Sequence, residues 1–325
     1  MSGMGRREFV ALLGGAGAWP VAARAQEPGR VYRLGAIIPA GRDSSAVIAF
    51  FDEMRLFGFI EGQNLTVLPN GFGVRNDELV ERAEALIKAA PDAIISGPDN
   101  YTRVLQQLTR TIPLVAMTED MLRAGLVASL SRPGGNTTGI SLLSPDLDGK
   151  RQDLLIEAVP GARKIAALAD STVTPHQHLQ ALKEAARRRG VELSVFGVAS
   201  PEEVVPALTV AKASGAQALN LLATPLFTVN ARVFTKEIAA LRLPAMHQWP
   251  ELAEDGGLLG YGPRFSHTFR QRARLVARIL RGAKPAEIPV EQPTHFELVI
   301  NLKTAQSIGH EVPAGLVLRA DKVIE

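Results

Sequence analysis

The chain has 325 residues, 46% of them hydrophobic and 21% charged. That balance excludes a disordered or collagen-like chain, and the length suits about two domains, each able to bury its own core. Cysteine is absent, which excludes disulfides, thiolate metal sites, iron–sulfur clusters, a cysteine nucleophile and a lipid-modified N-terminal cysteine.

The net charge of +3 is concentrated at the start of the chain. Residues 1–25 carry Arg6, Arg7 and Arg24 against Glu8. The remaining body is close to neutral, so no nucleic-acid partner is expected. Arg187, Arg188 and Arg189 precede Gly190 and read as cations that complement a helix C-terminus.

Residues 1–25 read as a cleaved export signal. Arg6-Arg7-Glu8-Phe9 is a twin arginine before an apolar stretch, and Ala23-Arg24-Ala25 matches an A-x-A cleavage site before Gln26. The type is either twin-arginine, which exports folded proteins, or general secretory with a chance arginine pair. Both predict a periplasmic protein with no lipid anchor. The apolar stretch is short of the ~20 residues a membrane span needs, and no membrane insertion is expected.

From there strands and helices alternate. Strands are expected at 33–38, 65–68, 93–96, 113–117 and 139–142. Between them lie helices at 46–57, capped by Ser44 or Ser45, at 76–87, capped by Asn76, and near 101–110. The pattern then repeats, with strands at 164–169, 191–196, 218–222, 244–247 and 258–261. Helices near 177–189, 202–213, 230–241 and 266–281 accompany them, followed by a strand at 296–300 and a short helix from 302. Short apolar strands alternating with amphipathic helices predict an α/β protein. The expected architecture is two doubly wound, Rossmann-like lobes with parallel sheets and a ligand cleft between them. The first lobe spans 31–139 plus about 263–287, and the second spans 140–262. Residues 288–325 cross the hinge and rejoin the second lobe.

Catalytic and cofactor motifs are missing. No G-x-G-x-x-G follows a strand. Gly149-Lys150 lacks the first glycine and the Ser/Thr of a phosphate loop, and neither H-E-x-x-H nor G-x-S-x-G occurs. His176-Gln177-His178 lacks an evident third ligand, so no metal or other cofactor is expected. Asp52-Glu53 reads as a solvated face. Glu119-Asp120 follows a strand, and a ligand role there stays open.

Open α/β sheets bind ligands beyond the carboxyl ends of their strands, so the candidate binding residues are taken from those loops. They are Pro39, Ala40 and Gly41 after the first strand, and Gly97, Asp99, Asn100 and Tyr101 after the third. Thr118, Asp170 and Ser171 follow two more strands. Thr224, Phe227, Gln248 and Trp249 complete the set. Tyr101, Phe227 and Trp249 are expected as flat apolar walls, and the polar groups as orienting contacts.

Several runs carry a family resemblance that covers the whole chain. They are Gly58-Phe59-Ile60-Glu61-Gly62-Gln63-Asn64, the stretch from Gly125 through Ser131-Arg132-Pro133-Gly134-Gly135-Asn136 to Gly139, and the tail around Phe296-Glu297-Leu298-Val299-Ile300-Asn301. Together with the export segment they resemble the TrpX-like ABC-transporter substrate-binding family, of the type I periplasmic binding-protein class. The resemblance implies ligand capture between two closing lobes, delivery to a membrane permease and ATPase, and no catalysis. It implies a small organic ligand, such as an aromatic amino acid or aromatic acid, and a monomer is expected. The sequence departs from the family pattern at strand ends. Gly97-Pro98-Asp99-Asn100-Tyr101 stands for the usual G-T-P-A-A, Asp170-Ser171 for N-P, and Asp120-Met121-Leu122-Arg123 for D-P-V. Two alternatives remain, a sensor module that presents ligand to a membrane receptor and an exported α/β enzyme.

Overall fold

The computed structural model describes residues 29–325. The expected export signal and its cleavage point lie outside them.

The first sheet contains β1 (Tyr32–Ile37), β2 (Leu65–Val67), β3 (Ala93–Ser96), β4 (Leu114–Thr118) and β5 (Thr137–Ser141). All are parallel, in the order β2-β1-β3-β4-β5. Parallel strands need crossover connections, and these place helices on both faces. α1 (Ser45–Leu56) and α10 (Phe265–Leu280) pack against each other, and the core they share with the sheet holds Leu34, Ala36, Phe50, Phe269 and Val276. α2 (Leu79–Lys88) and α3 (Asp99–Leu108) build the opposite core with Ile37, Ile94 and Leu114.

The second sheet contains β6 (Lys164–Asp170), β7 (Glu192–Val198), β8 (Leu219–Leu221), β9 (Ala245–His247), β10 (Leu259–Gly262), β11 (Glu297–Asn301) and β12 (Lys322–Ile324). Their order is β12-β11-β10-β9-β8-β6-β7. One core holds side chains from α4 (Ser144–Ala158), α5 (His176–Arg188), α11 (Leu302–Ile308) and α12 (Ala314–Val317). The other holds α6 (Pro201–Ala213), α7 (Pro225–Val229) and α8 (Ala231–Ala240), while α9 (Pro250–Glu254) packs on β10 and β11. Along β6 the side chains alternate as a pleated strand requires: Ala166 and Leu168 enter one core, Ile165, Ala167 and Ala169 the other.

The sequence predicts a parallel sheet, and here that expectation is corrected: β10 and β11 run antiparallel, with Leu259 opposite Ile300. The cause is the route of the chain. After β10 it leaves to form α10 on the first sheet, and residues 288–291 then run beside β5, with Ile140 bridging Glu291. The chain re-enters the second sheet from the far end. It passes between the two sets of elements three times: from β5 to α4, from β10 to α10, and from residue 291 to β11.

Two local expectations are corrected. Asn76 does not cap a helix; it opens a single 3₁₀ turn before α2, and its side-chain oxygen accepts from Asn100 at 3.1 Å. Helix α4 was not anticipated. It starts after Leu143, which sits in the left-handed region at φ 56°, and its buried face includes Asp148, Arg151 and Gln152. Buried polar groups erase the apolar periodicity by which a helix is recognised.

Candidate ligand cleft

Pro39, Asp99 and Glu119 stand at the carboxyl ends of β1, β3 and β4. Asp170 and Thr224 stand at those of β6 and β8. All line one cavity of about 680 Å³ between the two sheets. α3, α4, α5, α6 and α7 all begin at this cavity, as doubly wound topology dictates.

The floor is a buried polar assembly built on α4. Asp148 accepts from Arg151 Nη1 at 2.9 Å, from the Ala223 amide at 3.2 Å and interacts with His178 Nε2 at 3.0 Å. Arg151 is fully buried and also donates to the carbonyls of Tyr261 at 2.7 Å and Gln248 at 3.2 Å. One guanidinium thus fastens α4 to the ends of two strands, a fork geometry that lysine lacks.

Asp77, Asp99, Glu119, Asp120, Asp170 and Glu202 also line the space. Asp170 accepts from the Thr172 amide at 2.9 Å, the Thr172 hydroxyl at 2.5 Å and the Thr224 hydroxyl at 2.9 Å. Glu119 accepts from the Ser144 hydroxyl, and burial pushes its carboxyl up to about 7. Asp99 opens α3. Its Oδ1 is buried with no hydrogen-bond partner among the described residues. Burial raises its carboxyl above the ordinary range, while the Thr118 hydroxyl and the Glu119 backbone pull it down.

The residues expected from strand ends divide. Pro39, Asp99, Asn100, Tyr101, Asp170 and Thr224 line the cavity. Ala40, Gly41, Gly97, Thr118 and Ser171 flank those residues in sequence but lie outside the lining. Gly97 packs against Pro39 and Tyr101, where a Cβ would come within 2.9 Å of the Pro39 ring. Phe227 faces Phe234 in the second-sheet core. Gln248 is buried, and its carbonyl serves Arg151. Trp249 packs against Phe265 with ring centroids 4.6 Å apart and the planes tilted by 45°, and its Nε1 donates to Thr228 at 3.0 Å. Tyr101 spends its hydroxyl on the Val74 carbonyl at 2.6 Å. The lining is therefore acidic and proline-rich, and Tyr101 is its aromatic residue.

Asp148, His178 and Ser144 were missed. They belong to or touch α4, the helix that periodicity does not reveal. Their signal was the H-x-H run, of which His178 turns to Asp148 while His176 meets Gln180 at the surface. No group of three or more metal-ligating side chains occurs among the described residues.

Two α/β sets with mostly parallel strands around one cleft define a type I periplasmic binding-protein fold. The chain belongs to the ABC transporter substrate binding protein family, whose model matches residues 53–324. It is similar to the "Tyrosine-binding protein" of Clostridioides difficile (strain R20291), 26% identical over 259 residues, covering 77% of this chain and 72% of that protein. A conserved domain protein of Vibrio cholerae O1 biovar El Tor superposes with a TM-score of 0.81 at 22% identity, over 90% of this chain and 100% of that one. The ABC domain from Streptococcus pneumoniae in complex with L-Trp gives 0.76 at 22% identity, with the same shares covered. No described helix is long and apolar enough to cross a membrane.

Proposed function

We propose that the protein is the periplasmic solute-binding component of an ABC importer and captures a small organic ligand by closure of two lobes. The observation that carries this reading is the cavity of about 680 Å³ between two sheets joined by three chain crossings. A cleft of that size suits an amino-acid-sized solute, and the crossings form a hinge. The lobes are 31–139 with about 263–287, and 140–262, with 288–325 crossing the hinge. The export signal delivers the chain to the periplasm. There it works as a soluble monomer that hands ligand to a permease and ATPase without turning it over. Asp99, Asn100, Asp170 and Thr224 contact the ligand from opposite walls. Contacts made to both walls at once supply the differential affinity that favours the closed state. The similarity to a tyrosine-binding protein supports an ammonium-bearing ligand, which these carboxylates can receive.

The test is a thermal-shift screen of small solutes joined to small-angle scattering. A true ligand at 100 times its Kd stabilises the protein by about 2.7 kcal/mol and decreases the radius of gyration. Stabilisation without compaction would reject closure.

A further inference from the structure

The charges around the cleft do not balance. Asp77 pairs with Arg75 at 3.1 Å, Asp120 with Arg123 at 3.5 Å, and Asp148 with Arg151 at 2.9 Å. These pairs use the arginines at or behind the lining. Asp99, Glu119 and Asp170 remain at the strand ends, with Glu202 at the start of α6, and none of the four forms an ion pair with a described residue. Their hydrogen bonds come from neutral hydroxyls and amides, and Asp99 Oδ1 has none.

The helix starts tell the same story independently. An N-terminus facing a cleft is the usual resource for holding a carboxylate. Here the protein's own acids occupy most of them. α3 opens with Asp99. α4 has Asp146 in its first turn, and its Ser144 hydroxyl is bound to Glu119. α6 opens with Glu202 and Glu203; Glu202 is held below its usual range by the Ser200 hydroxyl, and Glu203 accepts from the Ala199 amide at 2.8 Å. A ligand carboxylate at any of these ends would meet fixed negative charge. Among the long helices at the cleft only α5 starts without an acid in its first turn, which leaves room for one carboxylate.

Resting on the solute-binding reading above, we infer that the cleft selects a small organic cation, a solute with more ammonium or guanidinium groups than carboxylates. Asp99 and Asp170 are its counter-charges, joined by Glu119 once the approaching cation displaces the proton that burial favours there. A neutral zwitterion would neutralise one of them and leave the others desolvated on closure, which is costly without pairing.

Isothermal titration of the protein with L-lysine and 1,4-diaminobutane, against L-tyrosine, L-tryptophan and L-leucine, tests this. A cation is expected to bind at least about tenfold more tightly than any of the neutral amino acids. Asp99→Asn should weaken that binding by about tenfold or more while the variant melts no lower than the parent, because it removes a poorly solvated charge. Glu119→Gln should weaken it too. A neutral amino acid that binds as tightly as either cation overturns the proposal and leaves the solute-binding reading standing. If none of the five binds, mass spectrometry of the small molecules released by denaturation decides. A net-cationic solute supports the proposal, a neutral or anionic one overturns it alone, and an empty protein removes both readings.

Discussion

Glu119 and His247 show how burial sets opposite pH responses at single residues. Burial pushes the Glu119 carboxyl up to about 7 and drives the His247 imidazole down to about 4. Between the ordinary carboxyl range and pH 7, the folded state holds a proton at Glu119 that the unfolded chain has released. Stability is therefore lost as pH rises through that window and is level above it. For His247 the unfolded chain takes up the proton first, so stability is lost as pH falls from about 6.5 towards 4. Glu119→Gln removes the first response. Its effect on stability should be more favourable at pH 8 than at pH 5, by about 1–3 kcal/mol. Thermal melts at the two pH values measure this, and an identical shift at both would show that Glu119 is not titrating.

At the same scale, the most recognisable run of the sequence proves to be scaffold. Gly134 takes φ 83°, and Asn136 Nδ2 donates to the carbonyls of Ile112 at 2.8 Å and Thr109 at 3.2 Å. Gly139 presses on β4, where a Cβ would lie 1.9 Å from the Ala116 carbonyl oxygen. In the first run, Asn64 Nδ2 donates to the Gly58 carbonyl and its Oδ1 accepts from the Ile60 amide, both at 2.7 Å. In the tail, Asn301 caps α11 and reaches the Ala253 carbonyl at 2.9 Å. These residues specify turns and close approaches, so the motifs that reveal the fold say little about the ligand.

Helix α4 is the element that carries the cleft floor, and its stability rests on Arg151. The guanidinium is wholly buried and satisfies a carboxylate and two carbonyls. Arg151→Met keeps most of the volume but strands Asp148 beside a lost counter-charge. Breaking a buried pair in this way costs about 3–5 kcal/mol. Chemical denaturation should show that loss; a change under about 1 kcal/mol would mean that His178 and the Ala223 amide hold Asp148 unaided. The same polar face explains what the sequence hid. Periodicity located every strand but β12, and the long helices other than α4, because their buried faces are mainly apolar, as in α1. It missed α4, and it missed the five-residue α7 and α9, which are too short to show a period. Strand-end logic named Asp99, Asp170 and Thr224, which line the cavity, because loops after parallel strands converge on one edge. It also admitted Phe227 and Trp249, because a loop position does not disclose whether an aromatic ring turns outward or into the core.

Across the whole molecule, Trp249 is placed to report closure. It follows β9 of the second sheet, yet its ring belongs to the core that contains Phe269 and Val276 of α10 on the first. Its contact with Phe265 lies beside the crossing from β10 to α10, while its indole N–H is held by Thr228. Closure about the crossings changes the relation of α10 to the second sheet, and with it the surroundings of this ring. In a chain starting at Gln26, Trp249 is the only tryptophan, so the emission change has one source. Ligand should therefore alter tryptophan emission even when it carries no aromatic group, because the signal comes from the hinge and not from stacking. Trp249→Phe should abolish the change while calorimetry gives a Kd within about threefold of the parent, under 1 kcal/mol. A Kd weakened beyond about tenfold would instead put the indole in direct energetic contact with the bound solute.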